Sequence, residues 1–193
     1  SFDLPPDADA KLKTAFNGKA PLHISTRMGW LKSAKHQITA APVKLDDEGM
    51  RVDWAGLTGT VSVSADHRGL DGKLSMPSLV LANGKGEWTI KDGEVTANMK
   101  QPDGQTMWVG PSTMKLASVS GKLPARGEGE PDTVALTGLS QTSESSIKDE
   151  LLTSSSKLQL KSLEARGFKA DELALDMSMR KFDAKAVDAL QRL

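Results

Sequence analysis

Apolar and polar residues alternate along the middle of the chain, from Arg51 to Met99. A period of two places one set of side chains on each face of a strand. The pattern therefore predicts a meander of antiparallel strands with one apolar face. The apolar positions that recur with this period are Leu57, Val61, Val63, Leu74, Met76, Leu79, Leu81, Trp88, Ile90, Val95, Ala97 and Met99.

Small polar residues and glycines separate these runs. Gly69, Asp71-Gly72, Asn83-Gly84 and Asp92-Gly93 all tolerate the positive φ that a tight hairpin needs. We therefore predict hairpin turns at these four places.

Strand-like segments continue on the N-terminal side of the meander. Residues 22–27 alternate, residues 28–31 form a compact apolar group that indicates either a bulge or a turn, and residues 35–45 alternate again. Pro42 lies in the last of these and has no N–H for a ladder, which favours an edge or a bulge there. Before them, Leu12 and Phe16 are spaced i and i+4 after Pro5-Pro6, and this spacing predicts a short helix.

The pattern is less regular after Met99. Alternating runs at residues 107–109, 114–118 and 134–139 predict strands, and Pro124 to Pro131 indicates either a linker or a long hairpin loop. Residues 140–146 are polar and fit either a strand that is wet on both faces or a mobile loop. Residues 158–160 and 173–179 alternate clearly, and Asp183 can then cap a helix with Ala186, Val187 and Leu190 on one face.

These elements predict one mainly β domain over residues 1–193, with minor α structure. About ten to twelve strands at a spacing of roughly 8–12 residues fit a sandwich, a barrel or one long curved sheet. We favour the long antiparallel meander sheet with short helices at its N- and C-terminal ends, because the apolar side chains suffice for one face only. Ser1 is not an initiator methionine and the last helix has no stop signal, so we expect a piece of a longer protein.

Composition narrows the function classes. The 25 basic and 25 acidic residues balance without a long run of one sign, which is unlike a nucleic-acid-binding protein or a protein that adheres to anionic membranes. Four Trp and four Phe without any Tyr offer few stacking surfaces, and the lack of Cys removes disulfides and thiolate chemistry. No run of 18 apolar residues is present, so no transmembrane segment is predicted in this chain.

No group of residues has the spacing of a catalytic, cofactor or metal site. His23, His36 and His67 are scattered, on the polar phase of a strand or in a turn, and we expect them to be solvated. The acidic residues 46–48 lack the ligand spacing of a calcium loop, and no G-x-S-x-G or phosphate-binding glycine loop occurs. Trp54, Trp88 and Trp108 fit packing on a sheet face better than a pocket. We therefore assign no catalytic residue, no cofactor-binding residue and no metal ligand, and we predict that the chain is not an enzyme.

Four segments resemble the YdgA-like family of bacterial proteins of unknown function: residues 52–60 (VDWAGLTGT), 72–79 (GKLSMPSL), 136–139 (LTGL) and 175–190 (LDMSMRKFDAKAVDAL). The resemblance spans most of residues 22–193, although Phe182 stands where leucine is usual and residues 185–187 replace a more alanine-rich run. It implies a β-rich region that faces the periplasm behind an N-terminal signal or anchor. It implies no catalytic residue.

Our leading hypothesis is a non-enzymatic envelope module whose apolar sheet face either packs on the terminal helices or receives a lipid or protein partner. Methionine suits such an adaptable surface. An alternative is a scaffold that pairs sheet edges with a partner or a second copy, and a third is an envelope hydrolase with a carboxylate pair assembled in space. The methionines on predicted apolar faces are Met76, Met99, Met107, Met114, Met177 and Met179.

Overall fold

The computed structural model describes residue 16 and residues 20–47, 49–84, 86–123 and 132–190. These residues form eleven strands and one helix. The elements are β1 (Leu22–Met28), β2 (Ala34–Ala40), β3 (Val43–Asp47), β4 (Met50–Trp54), β5 (Leu57–Val63), β6 (Gly69–Asn83), β7 (Gly86–Lys100), β8 (Pro111–Leu123), β9 (Asp132–Lys148), β10 (Leu151–Ala165), β11 (Phe168–Asp183) and α1 (Ala184–Leu190).

All the described strands belong to one antiparallel sheet in the order β1-β2-β5-β6-β7-β8-β9-β10-β11. The short strands β3 and β4 pair with each other, and β4 also pairs with β6, so they extend the sheet beside β2 and β5. Because β1 and β11 lie at opposite ends of this order, the sheet is open. The predicted long antiparallel sheet and the C-terminal helix are confirmed. The predicted N-terminal helix and the segment 124–131 fall outside the described residues, apart from Phe16.

Two of the four predicted hairpin turns are wrong. Asp71-Gly72 lies inside β6 and Asp92-Gly93 lies inside β7, whereas Asn83-Gly84 does lie where β6 turns into β7. Gly69 begins β6, at the end of the turn that follows β5. The strands from β6 onward have 13 to 17 residues, so the predicted spacing of 8–12 residues does not hold in this part. Inside the sheet, the backbone of a strand is hydrogen-bonded by the neighbouring strands on both sides. A residue that tolerates positive φ can therefore lie within a strand as well as in a turn.

Backbone hydrogen bonds decide between the alternatives that the sequence left open for other segments. Residues 35–45 divide at Ala41-Pro42, since β2 pairs with β5 while β3 pairs with β4. Met28 ends β1 and residues 29–31 lie in the turn that follows it. Residues 140–146 are part of β9, which excludes the loop alternative. Residues 107–109 do not form a strand; Val109 makes one isolated bridge, with Lys100.

The hydrophobic cluster of the described residues is small and lies at one end of the sheet, while Phe16, Ala40 and Val43 are buried outside this cluster. Asp183 caps α1 by accepting hydrogen bonds from the backbone N–H groups of Lys185 at 2.9 Å and Ala186 at 3.0 Å. The buried carboxylate of Asp188 on α1 accepts a hydrogen bond from the backbone N–H of Thr106, which ties the 101–110 loop to the helix. The helix and this loop thereby cover one end of the sheet. The cluster beneath them comprises Met107, Val109, Leu152 and Ala184, with Ile147, Met179 and Val187 packed against it.

Candidate binding surface: the apolar face of the sheet

One row of paired residues crosses nine strands of the sheet. Residues that pair directly in antiparallel strands point to the same face, so this row, which we call the Leu74 row, lies on one face. Seven of its nine members are aliphatic or methionine. In strand order they are Ile24, Ile38, Gly59, Leu74, Val95, Met114, Gln141, Leu158 and Leu175.

A second row, the Leu79 row, crosses the other half of the long strands. All eight of its members are apolar, and it begins on β3 and ends on β11. They are Val43, Trp54, Leu79, Ile90, Val119, Leu136, Leu163 and Ala170. Where one strand carries a member of each row, the two members are separated by an odd number of positions along the chain, as Ile90 and Val95 are. Uninterrupted alternation would therefore place them on opposite faces.

A line of irregular residues between the two rows removes this conflict. The β6–β7 register skips the pair Pro77 and Asp92, and the β8–β9 register skips the pair Ala117 and Gly138. We call this line the kink line. Its members in the long strands are Pro77, Asp92, Ala117, Gly138, Lys161 and Glu172, and it continues at Gly56 between β4 and β5.

Positive φ values recur along the kink line in alternate strands: 87° at Gly56, 50° at Asp92, 63° at Gly138 and 54° at Glu172. In an ordinary strand, successive peptide carbonyls point to opposite sides, and a left-handed residue makes the two carbonyls around it point to the same side. Side-chain alternation then restarts one residue later, as it does at a bulge. Both rows therefore lie on one face, which we call the apolar face.

The apolar face is exposed mainly along the Leu74 row, whereas the Leu79 row is half-buried and its member Val43 is buried. Val95 and Met114 of the Leu74 row are 43% and 38% exposed, and Leu175 is 52% exposed. The total accessible surface is 13616 Å², against about 8,900 Å² expected for a compact monomer of this mass. An open single-layer sheet gives such an excess, and all the described strands belong to one sheet. Nine strands at a spacing of about 4.8 Å make this face about 38 Å wide.

Close packing gives part of the apolar face a fixed shape. The ring of Trp88 lies against Gly121, where an added Cβ would come within 2.6 Å of it. The Trp88 side chain is nevertheless 38% exposed. It thus packs on the sheet face, as expected, but presents its other side to solvent.

The opposite face is polar and is organised by ion pairs. Arg51 and Glu87 are 2.7 Å apart, and Lys73 and Glu94 are 2.6 Å apart. The hydrogen bond from Lys73 lowers the pKa of the Glu94 carboxyl below its ordinary value. This face also has open hollows. One of about 480 Å³ lies beside the kink line at Ser75, Glu94 and Lys115.

The histidines remain separate, and one of them is not on the polar phase as predicted. His23 is exposed and His67 lies in the β5–β6 turn, whereas His36 is half-buried on the apolar phase and hydrogen-bonds Thr26 Oγ1 at 2.9 Å. His36 pairs with Val61, so the phase of β2 places it among apolar side chains. The described residues contain no cluster of three or more His, Cys, Asp or Glu that could hold a metal ion.

Sequence reasoning identified most members of the two rows but missed the kink line. The sequence does contain a sign of the kink line. Within one apolar run the period-two pattern shifts by one residue, as it does between Ile90 and Val95. Of the predicted methionines, Met107 is buried in the core cluster, whereas Met177 is 52% exposed.

Comparison with known proteins identifies a family. A family model described as "Bacterial protein of unknown function (DUF945)" matches residues 2–193, and the chain belongs to this family. Searches of curated proteins and of solved structures found no match. Within the described part of the chain, no helix has the length and apolar character that a membrane span requires.

Proposed function

From membership in this bacterial family of unknown function, we propose that the chain is a non-enzymatic module of the cell envelope. Its apolar face receives an apolar partner, either a lipid or another envelope protein. The observation that carries the proposal is the Leu74 row, which crosses nine strands. Four of its members, Ile24, Val95, Met114 and Leu175, are exposed.

The energetics of this face favour an occupant. Completing the burial of a half-exposed Leu or Met contributes about 1 kcal/mol, so a ligand that covers about ten such side chains gains about 10 kcal/mol. Association itself costs roughly 4–15 kcal/mol, which places the expected affinity in a weak to moderate range. Methionine adds adaptability, because its unbranched thioether fits partners of different shape.

The proposed location is the periplasm, with the full-length protein anchored to the inner membrane or secreted. The support is the resemblance of residues 52–60, 72–79, 136–139 and 175–190 to YdgA-like sequences. A fusion of the full-length protein to alkaline phosphatase tests it, since that enzyme matures only in an oxidising compartment. An inactive phosphatase on a stable fusion would refute the periplasmic location.

One pair of variants tests the apolar face. Met114→Glu places a charge in the Leu74 row on β8, and Thr142→Glu places the same charge on the polar phase of the adjacent strand β9. Both side chains are exposed, so both variants are expected to fold. We expect the full-length protein purified from its own membrane to carry a lipid or protein in native mass spectrometry. Met114→Glu should lose this occupant and Thr142→Glu should keep it. Equal occupancy in both variants, or none in the unaltered protein, would refute the proposal.

A second candidate function is strand-edge assembly, which the length of β11 favours. This edge strand has 16 residues, and none of the described residues pairs with its outer side. Long exposed edges recruit further strands. Light scattering at several concentrations tests this candidate, and a mass that stays monomeric throughout the series would exclude self-assembly.

The hydrolase alternative stays a prediction. A catalytic general acid requires a carboxyl whose pKa is raised. Hydrogen bonding lowers the pKa of both Asp66 and Glu94.

A further inference from the structure

The turn between β1 and β2 exposes an apolar tip. Trp30 is 100% exposed, Leu31 is 74% exposed and Met28 is 62% exposed. The tip is nevertheless ordered by backbone hydrogen bonds, from Gly29 N–H to the Ser33 carbonyl at 2.7 Å and from Lys32 N–H to the Gly29 carbonyl at 3.2 Å. A structured turn therefore holds a large aromatic side chain entirely in solvent.

The same tip is strongly basic although the whole chain is neutral. Residues 10–45 contain no Asp or Glu, and the tip carries Arg27, Lys32 and Lys35. Arg27 and Lys35 are directly paired across the hairpin. Like charges in that position destabilise a strand pair, and an external anion would relieve their repulsion. The balanced total charge of the chain thus conceals a local excess of basic residues.

The adjacent turn, between β5 and β6, does not cancel this charge. Its carboxylate, Asp66, accepts hydrogen bonds from the Ser64 hydroxyl and from the Arg68 backbone N–H. The Arg68 guanidinium forms an ion pair with Asp103 of the 101–110 loop. One further residue of this turn, His67, has a positive φ of 59° at its tip. The Arg68–Asp103 pair is neutral overall, and the Asp66 carboxylate supplies one negative charge against the three cations of the tip.

We propose that the β1–β2 tip docks on the surface of an anionic lipid bilayer. Trp30 and Leu31 enter the headgroup region, where tryptophan partitions favourably because its ring is apolar and its indole N–H is polar. Arg27, Lys32 and Lys35 contact anionic headgroups, and their aliphatic stems lie along the interface. The patch has three apolar side chains, far fewer than the 20–30 residues per side of a typical protein interface, but this size suits an interfacial anchor. The site is separate from the apolar face and does not depend on its occupant.

The test is vesicle co-sedimentation of the whole chain with phosphatidylcholine vesicles, with and without phosphatidylglycerol. We expect binding to the anionic vesicles and a blue shift of tryptophan emission. Trp30→Ala should weaken partitioning about tenfold, since it removes roughly half of the burial gain of an aromatic side chain. Replacing Arg27, Lys32 and Lys35 together by Gln should weaken it about a hundredfold, because each cation near an anionic surface contributes about fivefold.

Matched controls lie at the opposite end of the sheet. Phe168 is 60% exposed and Lys169 is also exposed, both at the β10–β11 turn. Phe168→Ala and Lys169→Gln should leave vesicle binding unchanged. The proposal is overturned if the unaltered chain does not bind anionic vesicles or binds neutral vesicles equally well. It is also overturned if Trp30→Ala binds as the unaltered chain does while its circular dichroism shows the native fold.

Discussion

Gly138 is the position at which the kink line can be tested most directly. It lies within β9 with a φ of 63°, and a Cβ added there would come within 2.7 Å of the Lys161 Cβ on β10. Gly138→Ala therefore introduces two separate costs, a left-handed backbone with a side chain and a collision with a neighbouring strand. Gly104 has a similar φ of 73°, and no atom lies within 4 Å of an added Cβ there.

The expected magnitudes follow from these two costs. A non-glycine residue in the left-handed region costs about 1–2 kcal/mol, which is the whole effect expected for Gly104→Ala. The collision at Gly138 adds the cost of overpacking, about 1–3 kcal/mol. Gly138→Ala should then lose about 2–5 kcal/mol in the free energy of unfolding. For a chain of this length each kcal/mol lowers Tm by about 2–4 °C, so a fall of roughly 4–20 °C is expected.

The assay is urea unfolding followed by circular dichroism, with thermal unfolding in parallel. The informative quantity is the difference between Gly138→Ala and Gly104→Ala, because the backbone cost is common to both variants. If the two variants lose equal stability, the backbone at Lys161 moves aside without an energetic cost. The kink line is then not closely packed at Gly138.

Three further predictions concern the covered end of the sheet and the β5–β6 turn. Leu152→Ala empties part of the core cluster and should cost about 2–5 kcal/mol in urea unfolding; a loss below that of an exposed leucine substitution would contradict the burial of Leu152 at 5% exposure. Asp183→Ala removes the cap of α1 and should cost about 1 kcal/mol by the same assay, whereas Asp183→Asn should lose only a few tenths. The hydrogen bond from Ser64 lowers the pKa of Asp66 below its ordinary value. The stability it contributes is therefore present at neutral pH and is lost as the pH falls through the lowered pKa. Ser64→Ala should move the Asp66 pKa back towards its ordinary value in an NMR titration, and an unchanged titration would show that this hydrogen bond is not formed in solution.

The sequence predicted correctly those features whose physical cause lies within a few neighbouring residues. The cap at Asp183 and the helix after it need only residues 183–190, and the alternation of residues 173–179 needs only one strand. Asp92-Gly93 was misread because the same tolerance of positive φ serves a hairpin turn and a kink within a ladder. Only the presence of β6 and β8 on both sides of β7 decides between them.

The basic tip shows a similar limit. The absence of acidic residues from positions 10–45 is visible in the sequence, and so is the apolar group at residues 28–31. The tertiary structure shows that the β1–β2 turn holds Trp30 in solvent. The hairpin register shows that Arg27 faces Lys35. Whole-chain charge averages over distances much longer than the Debye length of about 10 Å at 0.1 M salt, so it could not reveal the tip.

By itself, the sequence determined that this chain forms antiparallel strands with one apolar side each, because side-chain direction alternates with every residue of an extended backbone. The tertiary structure decided how those sides combine. Pairing between distant strands aligned the two rows, the kink line kept them on one face, and α1 and the 101–110 loop cover one end of that face. Whether an apolar side becomes a core or a binding surface depends on what packs against it, and that is a property of contacts between residues far apart in the chain.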